Sequence, residues 1–203
     1  MFVRFIKNAG LRVCLSILCL AFIVLSAGCN TEKRWRLHEI SGHLPDLRFS
    51  LKSDAERAVT ERSCQGYLVL LFFGFTNCQS ECPTTLFHLA KIVKGLGENA
   101  NRTRILFISL DPSRDTPTIM QRYLRAFDAE HALGLTGNED EIENLAKRYR
   151  IAYSQRIADT DDLVHSAVVY VFDRQGHARL LITPNDSIIS AVEDLQHLLE
   201  LSN

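Results

Sequence analysis

The chain has 203 residues, 46% hydrophobic and 23% charged, with 23 basic residues against 24 acidic ones and a net charge of −1. That balance argues against a nucleic-acid binder, which carries a basic face, and no repeat or low-complexity tract points to a solenoid or a disordered tail. The length suits one domain plus a targeting segment, and a chain of this size buries roughly two-thirds of its unfolded surface, enough to fold without disulfides or metals.

Residues 1–12 carry Arg4, Lys7 and Arg12 and no acid, Val13 to Leu25 is apolar except for Ser16, and Ser26-Ala27-Gly28 follows. This is the layout of a secretory signal, and the apolar run falls short of the ~20 residues that span a bilayer. Leu25-Ser26-Ala27-Gly28-Cys29 resembles the lipobox of bacterial lipoproteins, which implies a lipidated Cys29 and a chain held at a membrane surface without spanning it. The expected organisation is a lipoprotein signal peptide over 1–28, a lipidated N-terminus and tether over 29–44, and a folded domain over 45–203. The domain would then sit in the bacterial cell envelope, in the periplasm or otherwise outside the cytoplasmic membrane. Cys14 and Cys19 would leave with the signal, so the domain keeps Cys64, Cys78 and Cys82. An odd number of thiols in an oxidising compartment leaves at least one unpaired or bound to something.

Thr31 to Leu44 is polar and irregular and reads as the tether. Tyr67 to Phe75 is apolar except for Gly74 and rich in β-formers, a strand buried on both faces. After Pro83, Leu86, Leu89, Ala90, Val93 and Leu96 recur at helical spacing, with Gly95 and Gly97 as stop signals. Arg104 to Leu110 is the next strand, and Asp115-Thr116-Pro117 opens a helix to about Phe127, with Arg114 and Asp115 read as cap and loop bracing. Leu133 to Thr136 is a short strand, and Glu139 to Tyr149 a helix whose acidic start and basic end suit its macrodipole. Ala167 to Phe172, the turn Asp173-Arg174-Gln175-Gly176, and Ala178 to Thr183 form a hairpin signal. Ser187 then caps a last helix with Ile188, Val192, Leu195 and Leu199 on one face. The order β-α-β-α-β-α-β-β-α predicts an α/β fold: a largely parallel, mixed central sheet flanked by helices, with the hairpin as an antiparallel edge. This is the thioredoxin-like layout with an inserted β-α unit and a C-terminal hairpin plus helix.

Cys78 and Cys82 follow the first buried strand where it turns into a helix, the end of an open sheet where reactive groups gather. A helix N-terminus favours a thiolate, and if the first turn has begun by Cys78, the i,i+4 spacing puts both sulfurs on one face. Two adjacent thiolates make a clamp for a soft metal such as Cu(I) or zinc, and equally a redox-active pair. A structural disulfide or an inert pair suits the position less well, since cysteines four apart in a regular helix are poorly placed for an S–S bond. A metal on two thiolates wants a third ligand. Of seven histidines, His165 precedes the hairpin strand, and in a thioredoxin-like sheet that loop lies beside the first helix. Cys64 reads as a loop thiol.

Phe73-Gly-Phe-Thr-Asn-Cys78-Gln-Ser-Glu-Cys82-Pro-Thr-Thr-Leu86 resembles the cysteine signature of the Sco/SenC family of membrane-tethered copper chaperones. Ser41 to Phe49 is similar to that family's opening segment, Leu110-Asp-Pro-Ser-Arg-Asp-Thr-Pro117 to its second signature, and Gly134-Leu-Thr-Gly137 to its third. Val164-His165-Ser166 sits where the family's metal histidine is expected. Two departures stand out: Gln79-Ser80 occupies the place of the family's Pro-Asp, and Val164 that of an aspartate before the histidine. The resemblance implies a thioredoxin fold and a copper ion bound by Cys78, Cys82 and His165. It further implies a role, without turnover, in building the copper site of cytochrome c oxidase. The partners would be the copper-site subunit or another copper carrier, with the membrane reached through an N-terminal lipid. The alternative is a thiol-disulfide reductase that uses the Cys78–Cys82 pair to keep a partner's copper-ligand cysteines reduced, with a redox sensor as a third reading.

Overall fold

The structure, a computed structural model, describes residues 34–128, 130–151 and 167–201. The chain divides after Arg34, and the folded unit begins at Trp35. Its strands are β1 (His38–Glu39), β2 (Ser50–Ser53), β3 (Ala58–Thr60), β4 (Leu68–Gly74), β5 (Thr103–Ser109), β6 (Ala132–Thr136), β7 (Val169–Phe172) and β8 (Ala178–Ile182). The helices are α1 (Glu81–Gly95), α2 (Pro117–Arg125), α3 (Glu139–Arg148) and α4 (Ile188–Leu201).

All of β4 is buried, as a strand covered on both faces must be. Leu68, Leu70 and Phe72 join a core with Leu86, Leu89 and Ile92 of α1, Met120 and Leu124 of α2, and Leu195 and Leu198 of α4. Val69, Leu71 and Phe73 face the other way, onto Ile142, Leu145 and Ala146 of α3 and onto Tyr149. The period-two alternation of one apolar run thus feeds two separate cores across the sheet.

The strand order is β1-β8-β7-β4-β5-β6-β2-β3. The sheet is mixed and thioredoxin-like, with the β6–α3 unit inserted, yet it is less parallel than the sequence suggests. Only β4–β5 and β5–β6 pair in parallel; β4–β7, β7–β8, β1–β8, β2–β6 and β2–β3 are antiparallel. The hairpin is interior, because β7 lies directly against β4 and β1 covers the far side of β8. The stop at Gly97 and the cap at Ser187 behave as read, and α3 carries a cap that the sequence reading did not name. Gly97 takes φ +61° just beyond α1, Asn138 and Glu141 close a capping box on α3, and Ser187 accepts the Ser190 amide at 3.0 Å.

The tether reading of residues 29–44 fails from Trp35 onward. Leu37 and Ile40 are buried, and β1 adds to the sheet edge through His38↔Leu181 and Glu39↔Leu180. Trp35 lies 5.1 Å from the His197 ring. The fully buried carboxylate of Asp194 accepts the amides of Arg36 at 2.7 Å and Leu37 at 2.8 Å. Polar sequence concealed this segment because its main-chain donors are satisfied by a side chain far along the chain, which no local pattern reports.

Asp194→Ala leaves both amides without an acceptor. With hydrogen bonds to charged groups contributing about 1.5–3 kcal/mol each and partial rescue by water, a loss of about 2–4 kcal/mol is expected in urea denaturation. A midpoint equal to that of the parent chain would remove the clasp from the account of the fold.

Candidate metal centre

β4 ends at Gly74, whose carbonyl accepts the Leu110 amide at 2.8 Å, so β4 and its parallel neighbour β5 release their loops at one end of the sheet. The loop 75–80 carries Cys78, and α1 begins at Glu81, which places Cys82 in the first turn and Cys78 ahead of it. The two cysteines therefore do not share a helical face by spacing. The loop itself returns Cys78 to the helix end, where its Sγ accepts the Cys82 N–H at 3.3 Å. Ser80 stands at the N-cap with no side-chain cap bond, so the Cys78 sulfur takes the orphan donor that a hydroxyl would otherwise satisfy.

Cys82 is fully buried and Cys78 half-buried. A backbone hydrogen bond from Phe75 reaches Cys82, and the Cys78 side chain is close enough to hydrogen-bond it. A β carbon at position 74 would stand 2.9 Å from Cys82 Sγ and 2.9 Å from Phe107 Cε2. Glycine at the end of the strand is what lets the sulfur nest against the sheet. Burial pushes the Cys82 thiol well above its ordinary range, with Cys78 adding to the rise. Desolvation thus outweighs the helix end that the sequence suggests would favour a thiolate. Cys82 stays a thiol in the absence of a cation, and a metal entering here must displace its proton.

A third group sets the loop in place. Asp115, 1% exposed, accepts the Thr76 amide at 3.1 Å, the Thr76 hydroxyl, and the Ser109 hydroxyl at 2.6 Å. Thr116, one residue on, is the actual cap of α2 and accepts the Ile119 amide at 3.4 Å. The bracing expected of Arg114 and Asp115 is present, with Arg114 paired to Asp111, while the capping belongs to Thr116. Tyr123 of α2 escapes sequence reading altogether. It shares helical spacing with Met120, Leu124 and Phe127, which reads as core, yet its hydroxyl is buried and has no hydrogen-bond partner among the described residues.

His165 lies outside the described residues, as do Cys29 and residues 1–28. Val169 pairs with Phe72, so Ala167 and Val168 approach the sheet at the end where β4 delivers Phe75. His165 is two residues before Ala167 in sequence. Among the described residues, no three His, Cys, Asp or Glu side chains are grouped to hold a metal. The described histidines therefore leave the cysteine pair without a third ligand. Cys64 closes a short turn of 3₁₀ helix and is buried in the core on the opposite face of the sheet from Cys82. Burial pushes its thiol up to about 11, as suits an inert side chain. No helix among the described residues is long and apolar enough to cross a membrane.

A protein-family model described as SCO1/SenC matches residues 41–200. An SCO2-like protein of Rickettsia felis is 37% identical over 116 residues, 55% of this chain and 56% of that protein. The chain thus spans about half the length of the curated relatives it matches. A structure of ScoI from Bradyrhizobium japonicum with copper bound is 34% identical at a TM-score of 0.68, covering 75% of this chain and 98% of that one. ScoI from Arabidopsis thaliana, also with copper bound, is 30% identical at a TM-score of 0.70, covering 77% and 98%.

Asp115→Ala strips an acceptor from three donors, one buried on Ser109 and two part-buried on Thr76, and an unsatisfied buried donor costs about 1–3 kcal/mol before relaxation. A net loss of about 2–4 kcal/mol is expected, with faster labelling of Cys82 by a thiol reagent as the loop loosens. Asp115→Asn, which keeps one acceptor oxygen, should lose less. Unchanged stability and labelling in the alanine variant would mean the loop is held by other contacts.

Proposed function

The chain belongs to the SCO1/SenC family, and on that premise we propose that it is a copper metallochaperone: a domain that takes one copper ion on Cys78, Cys82 and His165 and passes it on. The observation that carries this reading is the cysteine pair, placed at the C-terminal end of the central strand. Cys82 is buried with a main-chain donor directed at it, and the Cys78 sulfur accepts a second. Backbone donors aimed at sulfur favour thiolates, and paired thiolates suit a soft ion. Relatives solved with copper bound, at 34% and 30% identity, support the choice of copper. When bound, the ion is cargo, and the protein's task is to hold it and release it.

The residues divide the work. Cys82, inside the core wall, fixes one bond; Cys78, half-buried, is the ligand an acceptor's thiolate can approach first. Exchange of thiolates one at a time at a soft ion lets copper move without ever being free in water. His165 closes the set in this proposal. The recipient is the copper-site subunit of cytochrome c oxidase or another copper carrier, as the resemblance to the family implies. Lipidation at Cys29 after removal of residues 1–28 holds the domain at the envelope, outside the cytoplasmic membrane.

The reductase reading keeps one supporting observation: the two thiols lie close enough to hydrogen-bond each other, which a disulfide-forming pair also needs. Disulfide exchange uses a thiolate attacker and no imidazole ligand, so His165 separates the readings.

Cys78→Ser and Cys82→Ser should each abolish binding of one Cu(I) per chain while the domain stays folded, and Cys64→Ser should leave loading unchanged. His165→Ala should weaken Cu(I) binding strongly and mimic the cysteine variants in oxidase assembly, with reduction of a test disulfide barely changed. Normal oxidase in the His165 variant and failure in both cysteine variants would establish the reductase instead. The thiols must be kept reduced throughout, because a disulfide cannot bind copper through thiolates. Mass spectrometry of the mature protein should find it beginning at a lipidated Cys29; another first residue, or a retained Met1, refutes the anchor.

A further inference from the structure

We infer that the end of the sheet opposite the cysteines is a docking surface for an anionic bilayer, which meets lipid phosphates with arginine and turns Cys78 away from the membrane. The inference rests on the membrane placement proposed above and not on the copper reading.

A net charge of −1 hides a division of charge along the strands. Where β4, β5, β6 and β8 finish, segments 75–81, 110–117, 137–141 and 183–187 carry seven acids and one base, Arg114. At the other end the bases gather. Arg62 precedes β4, Arg102 and Arg104 lead into β5, and Arg174 sits in the β7–β8 turn. Lys94 and Arg125 stand in the last turns of α1 and α2, which run back to that end. Five acids share it, but three are turned to internal work. Asp173 is buried against Arg179, Asp128 holds His131, and Glu61 accepts the Phe49 amide. Glu98 and Glu130 are the acids left exposed there among the described residues.

Bases at helix ends complement the macrodipole and need no further reason. Arg62, Arg102, Arg104 and Arg174 lie outside the α-helices and do need one. Two of them are held in place by main chain. Arg104 lies over the Tyr67 ring at 4.0 Å and donates to the Thr103 carbonyl at 2.8 Å. Arg174 Nε donates to the Gly66 carbonyl, next to Tyr67, at 2.9 Å. Arg62, Lys94 and Arg104 have no ion-pair partner among the described residues. A guanidinium fixed through one edge keeps other N–H groups for a phosphate, in the geometry it recognises best. The bases are spread over several separate segments, which matches a plane of repeated phosphates; a single acidic peptide would meet only some of them. The acidic end adds to the effect, because an anionic surface repels it while attracting the other. A domain already tethered beside the membrane needs only this bias to be turned one way.

The test places the full chain on nanodiscs of neutral phosphatidylcholine, or of phosphatidylcholine with phosphatidylglycerol, and reads hydrogen exchange by mass spectrometry. On anionic discs, exchange in 61–67 and 94–104 should slow about tenfold relative to neutral ones, since each base near such a surface contributes a factor of about five. Segment 76–81 should not change. Raising salt from about 0.1 M to about 1 M should remove the difference as the screening length falls from about 10 Å to about 3 Å. Arg62→Gln/Lys94→Gln, which alters two exposed side chains, should lose the difference while keeping the parent thermal midpoint, and Arg62→Lys/Lys94→Arg should retain it. Equal exchange on both discs overturns the inference and leaves the anchor and copper readings standing, as does protection centred on 76–81. Protection of 61–67 and 94–104 by soluble polyglutamate but not by anionic discs also overturns it, and gives the surface to an acidic protein. A full chain that stays off both discs refutes the anchor and this inference together, with Cu(I) loading still to judge the copper reading separately.

Discussion

Everything at the cysteine pair depends on the full burial of β4. A strand covered on both faces has to be placed deep in a sheet, and here it has a parallel neighbour on one side, β5, and an antiparallel neighbour on the other, β7. The first sends its chain away from the end where β4 finishes, and the second brings its chain in there. That end is consequently the point where loops part and a ligand can be surrounded, as at the switch points of other open sheets. The residues that make β4 a strand also make its end a site.

Within that site two demands compete. Burial at 0% exposure keeps Cys82 neutral, which protects it from stray oxidants but opposes metal binding. The donors around the pair act in the other direction: the Phe75 backbone bond to Cys82, and the Cys82 amide on Cys78. Neither outcome is locked in. In the proposed copper site an incoming cation would supply the missing term, since its charge offsets the desolvation that raised the thiol. Cys64 makes a useful contrast. It is buried to a similar degree on the other face of the sheet, and its neighbours Arg104 and Glu61 oppose each other. A buried thiol without a poised partner is packing; Cys82 beside Cys78 is chemistry.

How far the sequence reached follows from which interactions are local. Apolar patterning announced β4, α1, the β7–β8 hairpin and α4, because each buries a face whose pattern shows in adjacent residues, and the acidic-to-basic order of charges announced α3. The two cysteines were legible for the same reason, sitting where a strand period gives way to a helical one. β1, β2 and β3 were not, since strands of two to four residues offer too few positions to display alternation. Trp35 to Ile40 looked like tether because its anchor, Asp194, lies 157 residues from Leu37. The start of α1 at Glu81 could not be read from Pro83, which is tolerated anywhere in a first turn. Tyr123 was hidden by its own ring: an aromatic at core spacing reads as core, and its spacing says nothing of the hydroxyl, which has no hydrogen-bond partner among the described residues.

Asp115 and Asp194 share a physical role that explains how the fold can be firm where it must also be open. Both are buried carboxylates that accept main-chain amides with no place in the sheet or helices, from Thr76 in one case and from Arg36 and Leu37 in the other. Apolar packing could fix those segments only by covering them. A charge-assisted hydrogen bond fixes a backbone from beneath and leaves its outer side in solvent. At the edge of the sheet this holds Arg36 and Leu37, just ahead of β1, against α4. At the end of β4 it holds the loop through Thr76 while Cys78, two residues on, remains half-exposed. The proposed copper ligand must be rigid to bind and reachable to hand over, and support of this kind gives both where packing alone would supply one property at the expense of the other.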